Sequence, residues 1–248
     1  VLVGLHPWTD FTEADLDRCM ALLDNEETKT WMFEPILWRD NYAHLPTERL
    51  LELAQKLLTR TNGEDTLLHA LSMKLHRQDP AEDTLGPELR KLGLKAATKS
   101  LLADHSDHGG SKDYRMEKVI KAALSFDGND AEKTEWVETI FSVIDEHYGF
   151  IHSFENAIET TAGLMPEAFL NRVFQGTDDQ QHRRTYFIRS GGIRRSPLAK
   201  INLANLIAWC RQRNEPDTWG LVSSGIGLWE KDDGNKGGTS MRDRKSVV

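Results

Sequence analysis

One short segment gathers residue types that are suited to metal chemistry. The region from Asp104 to Gly110 holds two histidines, His105 and His108, and two aspartates within five residues. Imidazole and carboxylate groups are ligands for zinc or iron, and histidines three residues apart can meet on one helical turn. A structural metal site normally takes ligands from a second element as well, and the sequence holds no comparable cluster elsewhere. We therefore expect a polar loop without metal, and we keep a metal-dependent hydrolase as an outlying hypothesis.

A second segment is suited to binding anions. From Gln180 to Asn214 the chain carries eight Lys or Arg residues and no Asp or Glu, and we call this segment the basic block. The formal charge of the whole chain is −8, so the block stands inside an otherwise acidic protein. A concentrated positive field attracts acidic protein surfaces, phosphates or nucleic acid. The alternative is that acidic residues of the same chain, such as Asp178-Asp179 or the region from Asp130 to Glu138, satisfy the block internally.

Within the basic block, the segment from Ser190 to Pro197 predicts where an anion would bind. Two glycines and two arginines stand immediately before the expected start of a helix at Pro197. Free backbone N–H groups and the helix dipole favour an anion at such a point, and arginine adds bidentate contacts. The residues that we predict to bind an anion or a partner are Arg183, Arg184, Arg189, Arg194, Arg195 and Lys200.

Two glycine-containing segments near the end of the chain share only letters with catalytic motifs. Ser223 to Gly227 lacks the G-x-S-x-G spacing of a nucleophile turn, and no strand precedes it. Gly234 to Ser240 contains glycine, lysine and threonine, but the lysine does not stand directly before the hydroxyl residue as a phosphate loop requires. We expect no catalytic residue, no metal ligand and no cofactor in this chain.

The elements that position these residues are predicted to be helices, because apolar residues recur at helical spacing along nearly the whole chain. The clearest pair runs from Thr47 to Thr61 and from Glu64 to Arg77, with a left-handed stop predicted at Asn62-Gly63. Two amphipathic helices joined by so few residues must be antiparallel neighbours. Only Thr185 to Ile188 has a strand-like pattern. Further helices are expected over residues 12–23, 28–44, 87–104, 112–126, 131–148, 154–162, 166–174, 197–213 and 217–229. Pro35 is expected to break or kink the second of these, because proline removes a helical donor and clashes with the preceding turn.

The predicted fold class is all-α, an irregular stack of antiparallel helical hairpins. Hairpins begin near residues 47, 86, 131, 166 and 197, and these spacings fall within the range of stacked helical repeats. A closed helical bundle is the alternative to an open stack. The predicted organisation has N-terminal helices that cap the stack over residues 1–45, a helical-repeat region over residues 46–231 and a flexible C-terminal segment over residues 232–248.

The segment Leu50-Leu51-Glu52-Leu53-Ala54-Gln55-Lys56-Leu57-Leu58 resembles the hairpins of HEAT- or armadillo-like α-solenoids. The resemblance covers about residues 45–215. It implies binding and scaffolding along an extended surface, and it implies no catalytic residues. We therefore expect a non-catalytic scaffold or interaction domain that binds a protein partner or an adjacent domain of its parent chain. A nucleic-acid-binding helical module that uses residues 180–214 is the alternative.

Composition and termini bear on where the protein works. Cys19 and Cys210 sit inside apolar helical patterns, which indicates buried thiols in a reducing compartment rather than a disulfide. No run of about 18 apolar residues occurs, and the N-terminus lacks the pattern of a signal peptide. We expect a cytoplasmic protein without a membrane partner. Because the chain begins at Val1 without a starting Met, we also expect it to be a segment of a larger protein.

Overall fold

The computed structural model of the chain describes residues 11–76, 85–103, 110–146, 151–190 and 196–225. Every regular element in these ranges is a helix, and none of their residues forms a strand. The prediction of an all-α fold is therefore confirmed. Among the helices in these ranges, none is both long and apolar enough to cross a membrane.

Twelve α-helices and four short 3₁₀ turns account for most of the described residues. The helices are α1 Glu13–Leu22, α2 Glu34–Trp38, α3 Thr47–Leu58, α4 Gly63–His76, α5 Gly86–Leu102, α6 Gly110–Leu124, α7 Asp130–Glu146, α8 Glu155–Leu164, α9 Pro166–Val173, α10 Asp178–Ser190, α11 Leu203–Arg213 and α12 Pro216–Gly225. The 3₁₀ turns are Thr30–Met32, Asp40–Tyr42, Ile151–Phe154 and Pro197–Lys200.

The helices α1 to α9 are stacked in two layers, each of which takes every second helix, and α10 departs from this alternation. In one layer α1 packs on α3, α3 on α5, α5 on α7, and α7 on both α9 and α10. In the other layer α2 packs on α4, α4 on α6, and α6 on α8, which in turn contacts the turn Pro197–Lys200. Neighbours also pack on each other within the hairpins α3–α4 and α5–α6. Contacts between every second helix are the pattern expected of a stack of antiparallel hairpins.

A continuous apolar core runs between the two layers. At its centre the side chain of Trp136, on α7, is fully buried, and its indole N–H donates a hydrogen bond to Thr161 Oγ1 of α8 at 2.8 Å. Trp209 of α11 is also buried, and its indole N–H donates to Asn171 Oδ1 of α9 at 3.0 Å. A buried indole needs such a partner for its N–H group. These two bonds fix the relative position of the helices that they join.

Interactions and backbone conformations of nearby residues define where the helices begin and end. At the start of α1, the Asp15 N–H donates to Thr12 Oγ1 at 3.3 Å, and the Thr12 N–H donates to the Asp15 carboxylate at 3.1 Å. These two bonds form a reciprocal capping box, and it lies at the start of the helix expected over residues 12–23. Between α3 and α4, Asn62 takes a left-handed conformation with φ at 59°. The predicted left-handed stop therefore lies at Asn62, and Gly63 is already the first residue of α4.

Two segments differ from the expected helices in where they break. The expected helix over residues 28–44 is divided into the turn Thr30–Met32, the helix α2 and the turn Asp40–Tyr42. Pro35 lies in the first turn of α2, where its missing N–H has no helical partner to lose. The expected helix from Pro197 to Arg213 is instead the short turn Pro197–Lys200 followed by the separate helix α11. Asn202 begins that new helix, because its side chain accepts a hydrogen bond from the Ala204 N–H at 2.8 Å.

The strand-like stretch Thr185 to Ile188 lies inside the helix α10. Phe187 and Ile188 are both buried there, together with Arg184 one turn earlier. This spacing of buried residues is helical, so packing against the stack outweighs the local preference of β-branched and aromatic residues for strands.

Gly63 is required where the chain turns from α3 into α4, and we expect Gly63→Ala to destabilise the protein. An added Cβ would lie 1.7 Å from the Leu57 carbonyl oxygen, so the turn would have to open. The expected loss is about 1–3 kcal/mol of unfolding free energy, measured by urea denaturation followed by circular dichroism. Gly220→Ala is the matched control, because an added Cβ there meets nothing within 4 Å. Equal effects of the two substitutions would contradict this account of the turn.

Candidate functional site

Arg184, one of the predicted binding residues, lies inside the protein. The residue is 6% exposed, and its guanidinium donates to both carboxylate oxygens of Asp145 at 2.9 and 2.5 Å. The same group donates to the backbone carbonyl oxygens of Arg172 and Gln175, each at 2.7 Å. Arg184 therefore ties α10 to α7 and to the chain that follows α9. Its charge is neutralised within the fold by Asp145. For this residue, the alternative that acidic residues of the same chain satisfy the basic block therefore holds.

Arg183 and Lys200 are exposed, and each has a carboxylate partner within the protein. The guanidinium of Arg183 donates to the Asp179 carboxylate one turn earlier on α10 and to the backbone carbonyl oxygen of Asp145. The hydrogen bond and the attraction of Asp179 raise the pKa of Arg183. Lys200 Nζ lies 3.8 Å from the Glu159 carboxylate of α8. Such exposed pairs are weak, so both cations can exchange their partner for an external anion.

Of the remaining predicted residues, Arg189 is exposed in the last turn of α10, and its side chain has no hydrogen bond or ion pair within the described ranges. Arg194 and Arg195 lie outside the described residues. The long helix expected directly after them is the short turn Pro197–Lys200, and the Leu198 N–H already donates to Ser196 Oγ at 3.2 Å. The expected anion site therefore lacks the helix dipole on which the prediction depended.

The described part of the chain contains no cluster of side chains that could bind a metal ion. No group of three or more His, Cys, Asp or Glu side chains in these ranges is arranged to hold a metal ion. His105 and His108 lie outside the described residues. Cys19 and Cys210 are both buried free thiols, as their apolar surroundings predict. Burial, with a smaller effect of the negative charge of Asp15, raises the pKa of the Cys19 thiol to about 11.

We expect neither cysteine of the folded protein to react with a thiol reagent near neutral pH. The thiolate is the reactive form, and burial raises the pKa of Cys210 as well as that of Cys19. Titration with a disulfide reagent is expected to detect both thiols only after denaturant is added. Rapid labelling of Cys19 in the native protein, measured by mass spectrometry, would contradict the burial of this thiol.

A groove crosses the layer that contains α2, α4 and α6. It is bounded by residues 26–34, by the turn of residues 59–62 between α3 and α4, by Asp65, Thr66 and His69 of α4, and by Arg115 of α6. Its volume is about 740 Å³, and it opens to solvent. We call it the Trp31 groove, because the Trp31 side chain stands at its edge.

Trp31 is the most exposed large hydrophobic side chain among the described residues, at 62%. The turn that carries it is held in place by its neighbour Thr30, whose hydroxyl shares a buried 2.7 Å hydrogen bond with the hydroxyl of Thr66 on α4. The indole is therefore presented to solvent from a fixed backbone. Its large contact area and its small number of rotatable bonds make such a residue an effective anchor for a partner.

Two of the three carboxylates that line the Trp31 groove have partners. The Glu34 carboxylate lies 2.6 Å from His69 Nδ1. The Asp65 carboxylate lies 3.1 Å from Lys112 Nζ and accepts a hydrogen bond from Ser100 Oγ at 2.9 Å. These contacts join α2 to α4, and α4 to α5 and α6, so they also brace the walls of the groove.

Three cations of the Trp31 groove have no carboxylate partner within the described ranges. The side chains of Lys29 and Arg115 make no hydrogen bond or ion pair there. Arg60 donates from Nη2 to the Asn25 carbonyl oxygen at 3.0 Å, while its buried Nε has no hydrogen-bond acceptor. Glu26 is the remaining carboxylate at the groove, and it is exposed. The groove therefore offers uncompensated positive charge beside an exposed indole.

A second hollow, of about 620 Å³, lies between α7 and α10, and three arginines line it. Each of them is already paired: Arg184 with Asp145, Arg183 with Asp179, and Arg172 with Glu138. This hollow therefore presents less free charge to a ligand than the Trp31 groove does.

Comparison with known proteins identifies no relative of this chain. No family model matches it, and neither a curated protein nor a solved structure matches it.

Proposed function

We propose that this chain is a non-catalytic helical scaffold that binds a protein partner or a neighbouring domain. The observation that carries the proposal is the Trp31 groove, which runs across α2, α4 and α6 in one layer of the stack. A stack of hairpins presents such a layer as a continuous surface on which an extended partner can lie. A binding role of the HEAT or armadillo kind is part of this proposal.

The chemistry of the groove supports a macromolecular partner better than a small substrate. Tryptophan and arginine are the residues that most often dominate the binding energy of protein interfaces. Trp31, Arg60 and Arg115 bring both types to one surface. The lining is polar and open, whereas sites for small molecules are mostly enclosed and apolar.

The experiment that tests the proposal is a selection of random peptides displayed on phage against the folded chain. The expected result is reproducible enrichment of peptides that compete with one another for the chain. Binding of DNA and RNA is measured in parallel at several salt concentrations. Failure to enrich any peptide would contradict the proposal, and nucleic-acid binding that weakens steeply with salt would favour the alternative.

A nucleic-acid-binding module remains the second candidate because part of the basic block is free. Arg189 and Arg211 are both exposed and have no partner within the described ranges. Phosphate contacts release counterions. Binding through such residues would therefore make the logarithm of the association constant fall linearly with the logarithm of the salt concentration. A chain without measurable affinity for DNA or RNA at low salt would exclude this candidate.

A further inference from the structure

The charges of the Trp31 groove also indicate which kind of protein partner fits it, an inference that rests on the proposed function. We propose that the groove binds a peptide segment of the partner in which clustered Asp or Glu residues flank a large apolar side chain. The cations would meet the carboxylates, and the indole of Trp31 would meet the apolar side chain.

The charge balance of the groove favours an acidic ligand. Asp65 is paired with Lys112, whereas Glu34 contacts only the imidazole of His69. With histidine counted as neutral, Lys29, Arg60 and Arg115 face Glu26 and Glu34, which leaves one positive charge in excess. This excess of positive charge stands within a chain of net charge −8, so it marks the groove as a local site for negative groups.

The three cations stand on different walls of the groove. Lys29 precedes the turn that carries Trp31, Arg60 lies in the turn between α3 and α4, and Arg115 projects from α6. A single carboxylate cannot pair with all three walls, whereas a segment with several acidic side chains can. Arginine binds carboxylates in a bidentate manner, so Arg60 and Arg115 can each hold one acidic side chain.

The same lining disfavours a nucleic acid in this groove. Glu26 and Glu34 stand among the cations, and they would repel a backbone that carries a phosphate at every step. The side chains of a peptide can be spaced so that carboxylates meet only the cations. Its backbone N–H groups can also donate to Glu26 and to the exposed hydroxyl of Thr61.

The test uses the peptides selected on the folded chain and measures their affinity by fluorescence polarisation. We expect the enriched peptides to be rich in Asp and Glu, and to bind about tenfold or more weakly once these residues are changed to Asn and Gln. We also expect Arg115→Glu and Trp31→Ala each to weaken the wild-type peptides by about tenfold or more. The matched controls, Arg211→Glu and Trp219→Ala, alter exposed residues on α11 and α12 and are expected to change affinity by less than about twofold.

The possible results separate this inference from the proposed function. Peptides that bind tightly but lack acidic residues, or that bind Arg115→Glu as well as the wild type, would overturn the acidic-peptide inference while leaving a protein-binding role. Failure to select any peptide would overturn both. Displacement of the acidic peptides by DNA, lost in Arg115→Glu, would assign the groove to nucleic acid instead. The Arg115 side chain has no internal partner in the described ranges, so its substitution is not expected to destabilise the fold. Thermal melting of the variants checks that they are folded, and Arg115→Gln serves as a milder second variant.

Discussion

Replacing Arg184 by methionine is expected to lower the free energy of unfolding by about 3–5 kcal/mol, because it leaves a buried carboxylate unpaired. Asp145 is 7% exposed, and Arg184 supplies two of its hydrogen bonds. The substitution also removes the donor to the carbonyl oxygens of Arg172 and Gln175. Urea denaturation followed by circular dichroism measures the change.

Two further variants show whether the buried pair is the cause. Arg183→Met removes the neighbouring exposed arginine, whose pair with Asp179 lies at the surface, and it is expected to change stability by less than about 1 kcal/mol. The double variant Arg184→Met with Asp145→Leu removes both buried charges and is expected to recover much of the loss. An Arg184→Met protein as stable as the wild type would show that the pair with Asp145 does not stabilise the fold.

The helices were predictable wherever the information is local. In α6 the residues Met116, Val119, Ile120, Ala123 and Leu124 follow one helical face, and all five are buried. A stripe of this kind needs no knowledge of the rest of the chain, because burial of an amphipathic face requires the same spacing whatever it packs against. The capping box of Thr12 and Asp15 is local in the same sense.

The helix α10 was missed because its buried face begins with a charge. Arg184, Phe187 and Ile188 are spaced as a helical stripe, but apolar periodicity does not count an arginine as part of a core. Its partner Asp145 is 39 residues earlier in the chain, so no short-range pattern connects them. A buried ion pair of this kind is visible only once the two helices are placed side by side.

The Trp31 groove was invisible to sequence reasoning for a similar reason. Its cations come from three separate segments, and Lys29 and Arg115 are far apart in the chain. Trp31 itself was expected in the helical segment 28–44, with a break or kink at Pro35. The structure places the break before α2, because the proline lies in the first turn of that helix, and this separates α2 from the turn that carries Trp31.

Asp113→Ala is expected to lower the free energy of unfolding by about 2–4 kcal/mol, because the side chain caps a neighbouring helix. Asp113 is buried in α6, and its carboxylate accepts hydrogen bonds from the backbone N–H groups of Asn156 and Ala157, each at 3.1 Å. It also accepts one from the Asn156 side-chain amide at 2.8 Å. The N-cap residue of α8, Phe154, supplies no side-chain hydrogen bond of its own, so the cap comes from Asp113 alone within the described ranges.

The control for this prediction is Asp127→Ala, which removes an exposed carboxylate from the turn between α6 and α7. It is expected to change stability by less than about 0.5 kcal/mol. Hydrogen exchange supplies a second measurement, because loss of the cap is expected to increase exchange at the first turn of α8 before the rest of the core. Equal denaturation midpoints for the two variants would show that the carboxylate of Asp113 does not stabilise α8.

The cost of Asp113→Ala also depends on pH, with a sign that follows from the pKa of Asp113. Burial raises the pKa of this carboxyl above its ordinary value of 3.8, while the hydrogen bonds from Asn156 and Ala157 act in the opposite direction. A carboxyl with a raised pKa binds its proton more tightly in the folded protein than in the unfolded chain. Its contribution to stability is therefore largest below the ordinary pKa and declines as the pH rises through the folded pKa. The free-energy difference between the wild type and Asp113→Ala is accordingly expected to be larger near about pH 4 than at neutral pH. A difference that increases toward neutral pH would show that the hydrogen bonds to the ionised carboxylate outweigh its burial.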